Sequence, residues 1–149
     1  MSLSSIFQKR FKDIIEESDY KRTELVKLIP ISQSTLSNAL SYGIIPSVKT
    51  LIRVADFFNI SISYLLGKTN EEDFEKSSTA STFHNRFESL CLEINVTHYK
   101  VATDCLFDKS SISKWFSKSF IPELEILELL CDYFKVSIDY LLGRTDYKD

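Results

Sequence analysis

The chain has 149 residues, of which 44% are hydrophobic and 13% aromatic, with only three glycines and three prolines. That composition can build packed cores but supplies too few turn residues for an all-β fold, and no apolar run approaches the ~20 residues of a membrane span. The net charge of −3, taken whole, argues against a polyanionic partner.

The charge is unevenly spread. Residues 7–70 carry nine Lys and Arg against six Asp and Glu. Residues 71–82 hold Glu71, Glu72, Asp73 and Glu75 against Lys76, and residues 83–146 hold seven basic and ten acidic side chains. The first segment is therefore mildly basic, and the acidity lies in residues 71–146. The three cysteines form no C-x-x-C pair, which predicts reduced thiols and a cytoplasmic setting. Met1-Ser2-Leu3-Ser4-Ser5 has no basic region followed by an apolar run, so no secretory leader is predicted.

In chain order, Phe7, Phe11, Ile14 and Ile15 fall at helical spacing and predict a first helix to about Glu17. Asp19 offers an N-cap for a second helix of about 21–29, with Leu25, Val26, Leu28 and Ile29 inward. Pro30 ends it, having no amide donor. Ser32 caps a third helix of about 33–41 with Leu36 and Leu40 inward. Gly43 and Pro46 punctuate a loop. Ser47 caps a fourth helix carrying Val48, Leu51, Ile52, Val54, Ala55 and Phe58, and Ser61 caps a short fifth that Gly67 stops.

The pattern then returns without a gap at an offset of 76. Phe7/Phe83, Arg10/Arg86, Ser34/Ser110, Pro46/Pro122, Asp56/Asp132 and Gly67/Gly143 keep that register, and 19 of the 64 aligned positions are identical. Two copies of one domain are predicted: 1–69, a polar acidic linker 70–82, and 83–149. In the second copy Asp108 takes the capping place of Ser32. A free linker of 13 residues could span about 43 Å.

Five short helices, with the second and third joined by a three-residue turn, resemble the helix-turn-helix domain of the Cro and phage-repressor type, the XRE family. The phrases Ala55-Asp56-Phe57-Phe58-Asn59-Ile60-Ser61-Ile62-Ser63-Tyr64-Leu65-Leu66-Gly67 and Cys131-Asp132-Tyr133-Phe134-Lys135-Val136-Ser137-Ile138-Asp139-Tyr140-Leu141-Leu142-Gly143 are similar to that family's last two helices. The resemblance implies an all-α chain of two tandem five-helix, lambda-repressor-like domains. There are departures: the family's turn glycine is Pro30 in one copy and Leu106 in the other, and its phosphate-contacting glutamine is Arg22 or His98.

The resemblance also implies that each third helix enters the major groove of double-stranded DNA. The expected contact residues are then Arg22, Thr23, Gln33, Ser34, Thr35, Ser37 and Asn38 in the first copy. In the second they are His98, Lys109, Ser110, Ser111, Ser113 and Lys114. Gln and Asn present a donor and an acceptor together, which suits adenine, whereas Lys suits guanine or phosphate. Outside such a motif, polar side chains on a helix surface are most often only solvated. Trp115, opposite Ala39, is expected to pack beside the loop. Cys91, Cys105 and Cys131 match Ile15, Ile29 and Ala55 and read as core rather than as ligands. His84 and His98 match polar residues, Gln8 and Arg22, and read as surface.

No Gly-rich phosphate loop, ligand-spaced Cys/His set or Ser-His-Asp constellation is present in the sequence, so no enzyme, cofactor, metal or small-molecule ligand is predicted. The expected function is a transcriptional regulator, a repressor, on a DNA operator. The alternative is an antitoxin-like or anti-repressor interaction module in which one copy has given up DNA. Tyr64 and Tyr140 with their leucine pairs are either core or dimer surface, and exposed Ile-x-Tyr-Leu-Leu phrases lean towards a homodimer through the fifth-helix surfaces.

Overall fold

The structure is a computed structural model that describes residues 3–149. Met1 and Ser2, part of the stretch in which no leader was predicted, lie outside the described residues. Among the described residues there are ten helices and no strand, only an isolated bridge between Leu3 and Ile44. No helix among them is long and apolar enough to cross a membrane. The chain divides into two compact units, Met1–Phe74 and Glu75–Asp149.

The first unit contains α1 (Ser5–Glu17), α2 (Arg22–Leu28), α3 (Gln33–Tyr42), α4 (Val48–Phe58) and α5 (Ile62–Leu65). The second contains α6 (Phe83–Glu93), α7 (His98–Cys105), α8 (Lys109–Ser117), α9 (Leu124–Phe134) and α10 (Ile138–Leu141). Helix starts keep the sequence offset at Arg22/His98, Gln33/Lys109, Val48/Leu124 and Ile62/Ile138. Side-chain caps set eight of the ten, all but α2 and α9: Ser4, Ser32, Ser47 and Ser61 accept from the amides of Phe7, Thr35, Thr50 and Tyr64. Thr82, Thr97, Asp108 and Ser137 do the same in the second unit. Each satisfies an amide that the helix itself leaves without an acceptor.

Left-handed residues also recur in register. Asp19/Asn95, Gly43/Ser119, Asn59/Lys135 and Gly67/Gly143 all have positive φ. The exception is the turn after the second helix. Leu106 is left-handed there (φ 63), whereas Ile29 stays extended (φ −102, ψ 123) because a residue before proline is driven out of the helical region. The two units thus reach the third helix through two different turns.

Two details of the expected first copy change. Asp19 does not cap α2; it takes φ 65 in the turn after α1, and the Glu24 carboxylate instead accepts from the Lys21 amide at 3.0 Å. Leu28 does not point inward but is 51% exposed, because α2 ends there and Ile29, in extended backbone, takes the interior place.

Both cores are complete, but they are filled differently. Phe7, Phe11, Leu25, Leu36, Leu51, Ile62 and Leu65 are almost fully buried in the first unit, each contributing about 1.5–3 kcal/mol of burial. In the second, Trp115 stands where Ala39 does and is 5% exposed. Its ring lies edge-on to Phe83 and Phe87 and tilted to Phe107, with centroids 5.6–5.7 Å apart. Smaller residues make the room: Val101 for Leu25, Ala102 for Val26, Cys91 for Ile15. Volume is traded between positions so that the core as a whole stays filled.

The fifth-helix phrases are core in part. Ile62, Leu65, Ile138 and Leu141 are all buried. Tyr64, Leu66 and Tyr140 of the same phrases are half-buried.

Candidate nucleic-acid interface

The third helix of the first unit has two unlike sides. Leu36, Ala39 and Leu40 are buried, while Gln33 and Ser34 are exposed and Ser37 and Asn38 half-buried. At 100° per residue, Gln33, Ser34, Ser37, Asn38 and Ser41 occupy one outer arc of α3. The first turn is stiffened by its cap, Ser32 Oγ donating to Thr35 Oγ1 at 2.7 Å and accepting from the Thr35 amide at 3.1 Å.

Two ties fix α3 from outside. Gln8 Nε2 donates to the Leu40 carbonyl at 2.9 Å, joining α1 to the end of α3. Arg53 Nη1 donates to the Pro30 carbonyl at 3.1 Å, joining α4 to the turn. Arg22 and Thr23 are exposed in the first turn of α2, where backbone amides lack helical acceptors and favour an anion.

In the second unit Ile112 and Trp115 are buried on α8, and Lys109, Ser110, Ser113 and Lys114 are exposed, with Ser111 half-buried. Asp108 caps α8 by accepting from the Ser110 amide at 2.9 Å, and that hydrogen bond lowers its pKa. Lys109 Nζ lies 5.5 Å over the ring of Tyr99, an exposed residue of α7 that stands where Thr23 does.

His98 differs from Arg22. Its imidazole is stacked on Phe116 (5.3 Å, 15°) and paired with the Glu88 carboxylate. The side chain is thus drawn onto its own unit rather than extended from the helix. His84 is not a plain surface residue either: half-buried, its Nε2 reaches the carbonyls of Trp115 (2.8 Å) and Phe120 (2.9 Å). It ties α6 to the end of α8, as Gln8 ties α1 to α3.

Of the cysteines, Cys91 is buried, and burial pushes its thiol pKa up to about 11. Cys105 and Cys131 are half-buried, and among the described residues none of the three is joined in a disulfide. Tyr133 OH donates to Asp104 Oδ2 at 2.7 Å, which holds the Asp104 carboxyl below its usual range and raises the tyrosine to about 12. No group of His, Cys, Asp and Glu able to hold a metal occurs among the described residues.

Sequence reasoning passed over two residues that hold the scaffold. Arg10 donates to the carbonyls of Tyr64 and Thr69 (2.7 Å), and Arg86 to those of Tyr140 (2.9 Å) and Thr145 (2.9 Å). The signal was available: an identical charged residue recurs in an otherwise apolar helical stripe.

A comparison with protein-family models matches residues 11–65 to the family described as Helix-turn-helix. Residues 11–65 carry a helix-turn-helix. The match runs from Phe11 in α1 to Leu65 at the end of α5, so it takes in both α2 and α3 and the turn between them. No curated protein and no solved structure matches the chain.

Proposed function

We propose that this protein is a sequence-specific transcriptional regulator, a repressor, in which α3 and α8 each read the major groove of double-stranded DNA. One observation carries the reading: the helix-turn-helix of the first unit presents a continuous polar arc, Gln33, Ser34, Ser37 and Asn38, on a helix whose other side is locked into the core. Arg22 and Thr23 position the domain through phosphate, and Gln33 and Asn38 favour adenine. In the second unit Lys109 and Lys114 favour guanine or phosphate. The operator is then asymmetric, with one half-site for each unit, and a single chain supplies both readers. Repression follows from occupancy of a promoter.

In-vitro selection of duplexes bound by the full chain tests this. Enrichment of one bipartite site, lost at one half on Gln33→Ala with Asn38→Ala and at the other on Lys109→Glu with Lys114→Glu, is the expected result. Affinity no better than for random duplex at moderate salt would sink it.

A second reading has its own support. Leu106 is 91% exposed, and Leu129 (44%) stands where Arg53 ties α4 to the turn. With His98 held by Glu88, these residues favour a second unit that binds protein instead of DNA, antitoxin-like or as an anti-repressor. Lys109→Glu with Lys114→Glu would then leave DNA affinity unchanged, and Leu106→Asp would abolish a protein contact.

A further inference from the structure

His98 opens α7 and is gripped on two sides. Its Nε2–H donates to the Glu88 carboxylate on α6, which can only accept. Its ring lies flat on Phe116 (5.3 Å, 15°) and tilted to Phe87 (5.3 Å, 51°). The first unit has different residues at both grips. By the 76-residue offset Arg22 stands for His98, Lys12 for Glu88 and Leu40 for Phe116. That register holds in the folded chain: Phe7/Phe83, Phe11/Phe87, Ile14/Leu90 and Ile15/Cys91 are all buried at matching places on α1 and α6. Lys12 and Arg22 are both exposed. Two cations repel and cannot bond to one another, and a leucine offers no ring face to a guanidinium. The same edge of the fold thus carries two positive charges in the first unit and a carboxylate closed on an imidazole in the second.

We infer that the position shared by Lys12 and Glu88 sets how firmly each unit holds the DNA backbone: Lys12 adds a phosphate contact beside Arg22, and Glu88 withholds His98 from phosphate. The inference rests on the reading that both units bind DNA. For a phosphate to take the His98 N–H, it must displace a carboxylate already in place and lift the ring off Phe116. One anionic acceptor is then exchanged for another, so little is gained. Lys12 has the opposite effect. A lysine that neutralises a phosphate releases condensed counterion, which adds affinity for any sequence. Both effects act on the backbone and are blind to base identity. The first unit is therefore the one that grips duplex of any sequence. The second contributes through Lys109 and Lys114 alone, without a backbone contact from the start of α7.

Variants of the full chain, at constant pH, test this on the selected duplex and on a random one. Lys12→Ala should weaken binding to both alike and reduce the slope of log affinity against log salt by about 0.9, the share of one phosphate. Glu88→Gln should raise affinity several-fold for both. Made in a His98→Ala background, the same Glu88→Gln change should give less than half of that gain, because it acts through the imidazole. Unchanged affinity and slope on Lys12→Ala, or no rise on Glu88→Gln, overturns the inference. A gain that persists beyond half without His98 is plain relief of negative charge, with the same consequence. Lower thermal stability of Glu88→Gln without tighter binding makes the pair structural only, and overturns it as well. Lys109→Glu with Lys114→Glu separates these failures from failure of the premise. If that change leaves DNA affinity unaltered, the second unit does not bind DNA and the role of Glu88 falls with it, while Lys12→Ala still decides the role of Lys12.

Discussion

The guanidinium of Arg10 lies 4.2 Å from the centre of the Tyr64 ring, and Arg86 lies 4.0 Å from that of Tyr140. In each unit one side chain combines a cation–π contact with hydrogen bonds to two backbone carbonyls, one at the short last helix and one beyond it. A four-residue helix cannot hold itself together in water, so a clamp from the first helix determines whether it stays in place. Arg10→Ala and Arg86→Ala should each destabilise their unit by about 2–3 kcal/mol. Lysine should recover less than half of that, because a point charge cannot bridge two carbonyls as a planar fork does. Chemical denaturation of the variants measures both.

Leu106 is left-handed and almost wholly exposed, so it bears the steric cost of that conformation without the gain of burial. Leu106→Gly should raise stability by about 0.5–1 kcal/mol, the relief of strain exceeding the entropy that glycine adds to the unfolded chain. Pro30→Gly in the first unit should lower it, since no left-handed residue is required there. Thermal melts of the two variants should move in opposite directions.

Gly143 has φ +79, and a Cβ added there would come within 2.4 Å of the Ser81 carbonyl oxygen and 3.0 Å of the Thr82 amide nitrogen. Gly67 has a similar φ, but a Cβ there would meet only the Ile6 side chain, at 2.8 Å. Backbone cannot step aside as a side chain can. Gly143→Ala should therefore cost the more of the two, by at least about 1 kcal/mol in melts. It should also expose the Thr82 cap, read as faster amide exchange in the first turn of α6.

Hydrogen bonds from Ser77 and Ser78 hold the Asp146 carboxyl below the usual range for aspartate. A carboxyl whose pKa is lowered on folding stabilises the folded form above its unfolded value, near 3.9, and loses that contribution as pH falls through the lowered one. This attachment should therefore be firm at neutral pH and loosen in acid, below about pH 4. Amide exchange at Ser78, whose N–H the carboxylate accepts, checks this across an acid series; unchanged protection in acid would show that the carboxylate does not hold it.

On the DNA side, Arg22→Ala should weaken binding about equally for every duplex and reduce the salt slope by about one phosphate contact. Gln33→Ala or Asn38→Ala should cost about 1–3 kcal/mol at the cognate site and relax base preference there. Binding curves at several salt concentrations, on cognate and random duplexes, separate the two behaviours.

The sequence by itself determined the helices, several of their caps and most of the interior. Apolar spacing placed Phe7, Phe11, Leu36 and Leu51 in the core, and a hydroxyl before three of the helices marked Ser32, Ser47 and Ser61 as starts; both are local signals, readable from neighbours within a turn. The 76-residue offset aligned Trp115 with Ala39 and suggested packing beside the loop; its place against Phe83 and Phe87 in the core was the structure's to show. What needed the tertiary structure was anything joining residues far apart in sequence. Arg10 meets Tyr64, Arg53 meets the Pro30 carbonyl, and Ser77 meets Asp146 across intervals that no periodicity spans. The same holds for Asp19 and Leu28, where the terminal geometry of α1 and α2 overruled a local preference, and for the fifth-helix leucines, whose burial depends on the clamp above them. Composition left residues 70–82 either free or partly docked, because polar sequence does not reveal hydrogen bonds to residues some seventy positions away; in the folded chain Ser77 and Ser78 bond to Arg144 and Asp146.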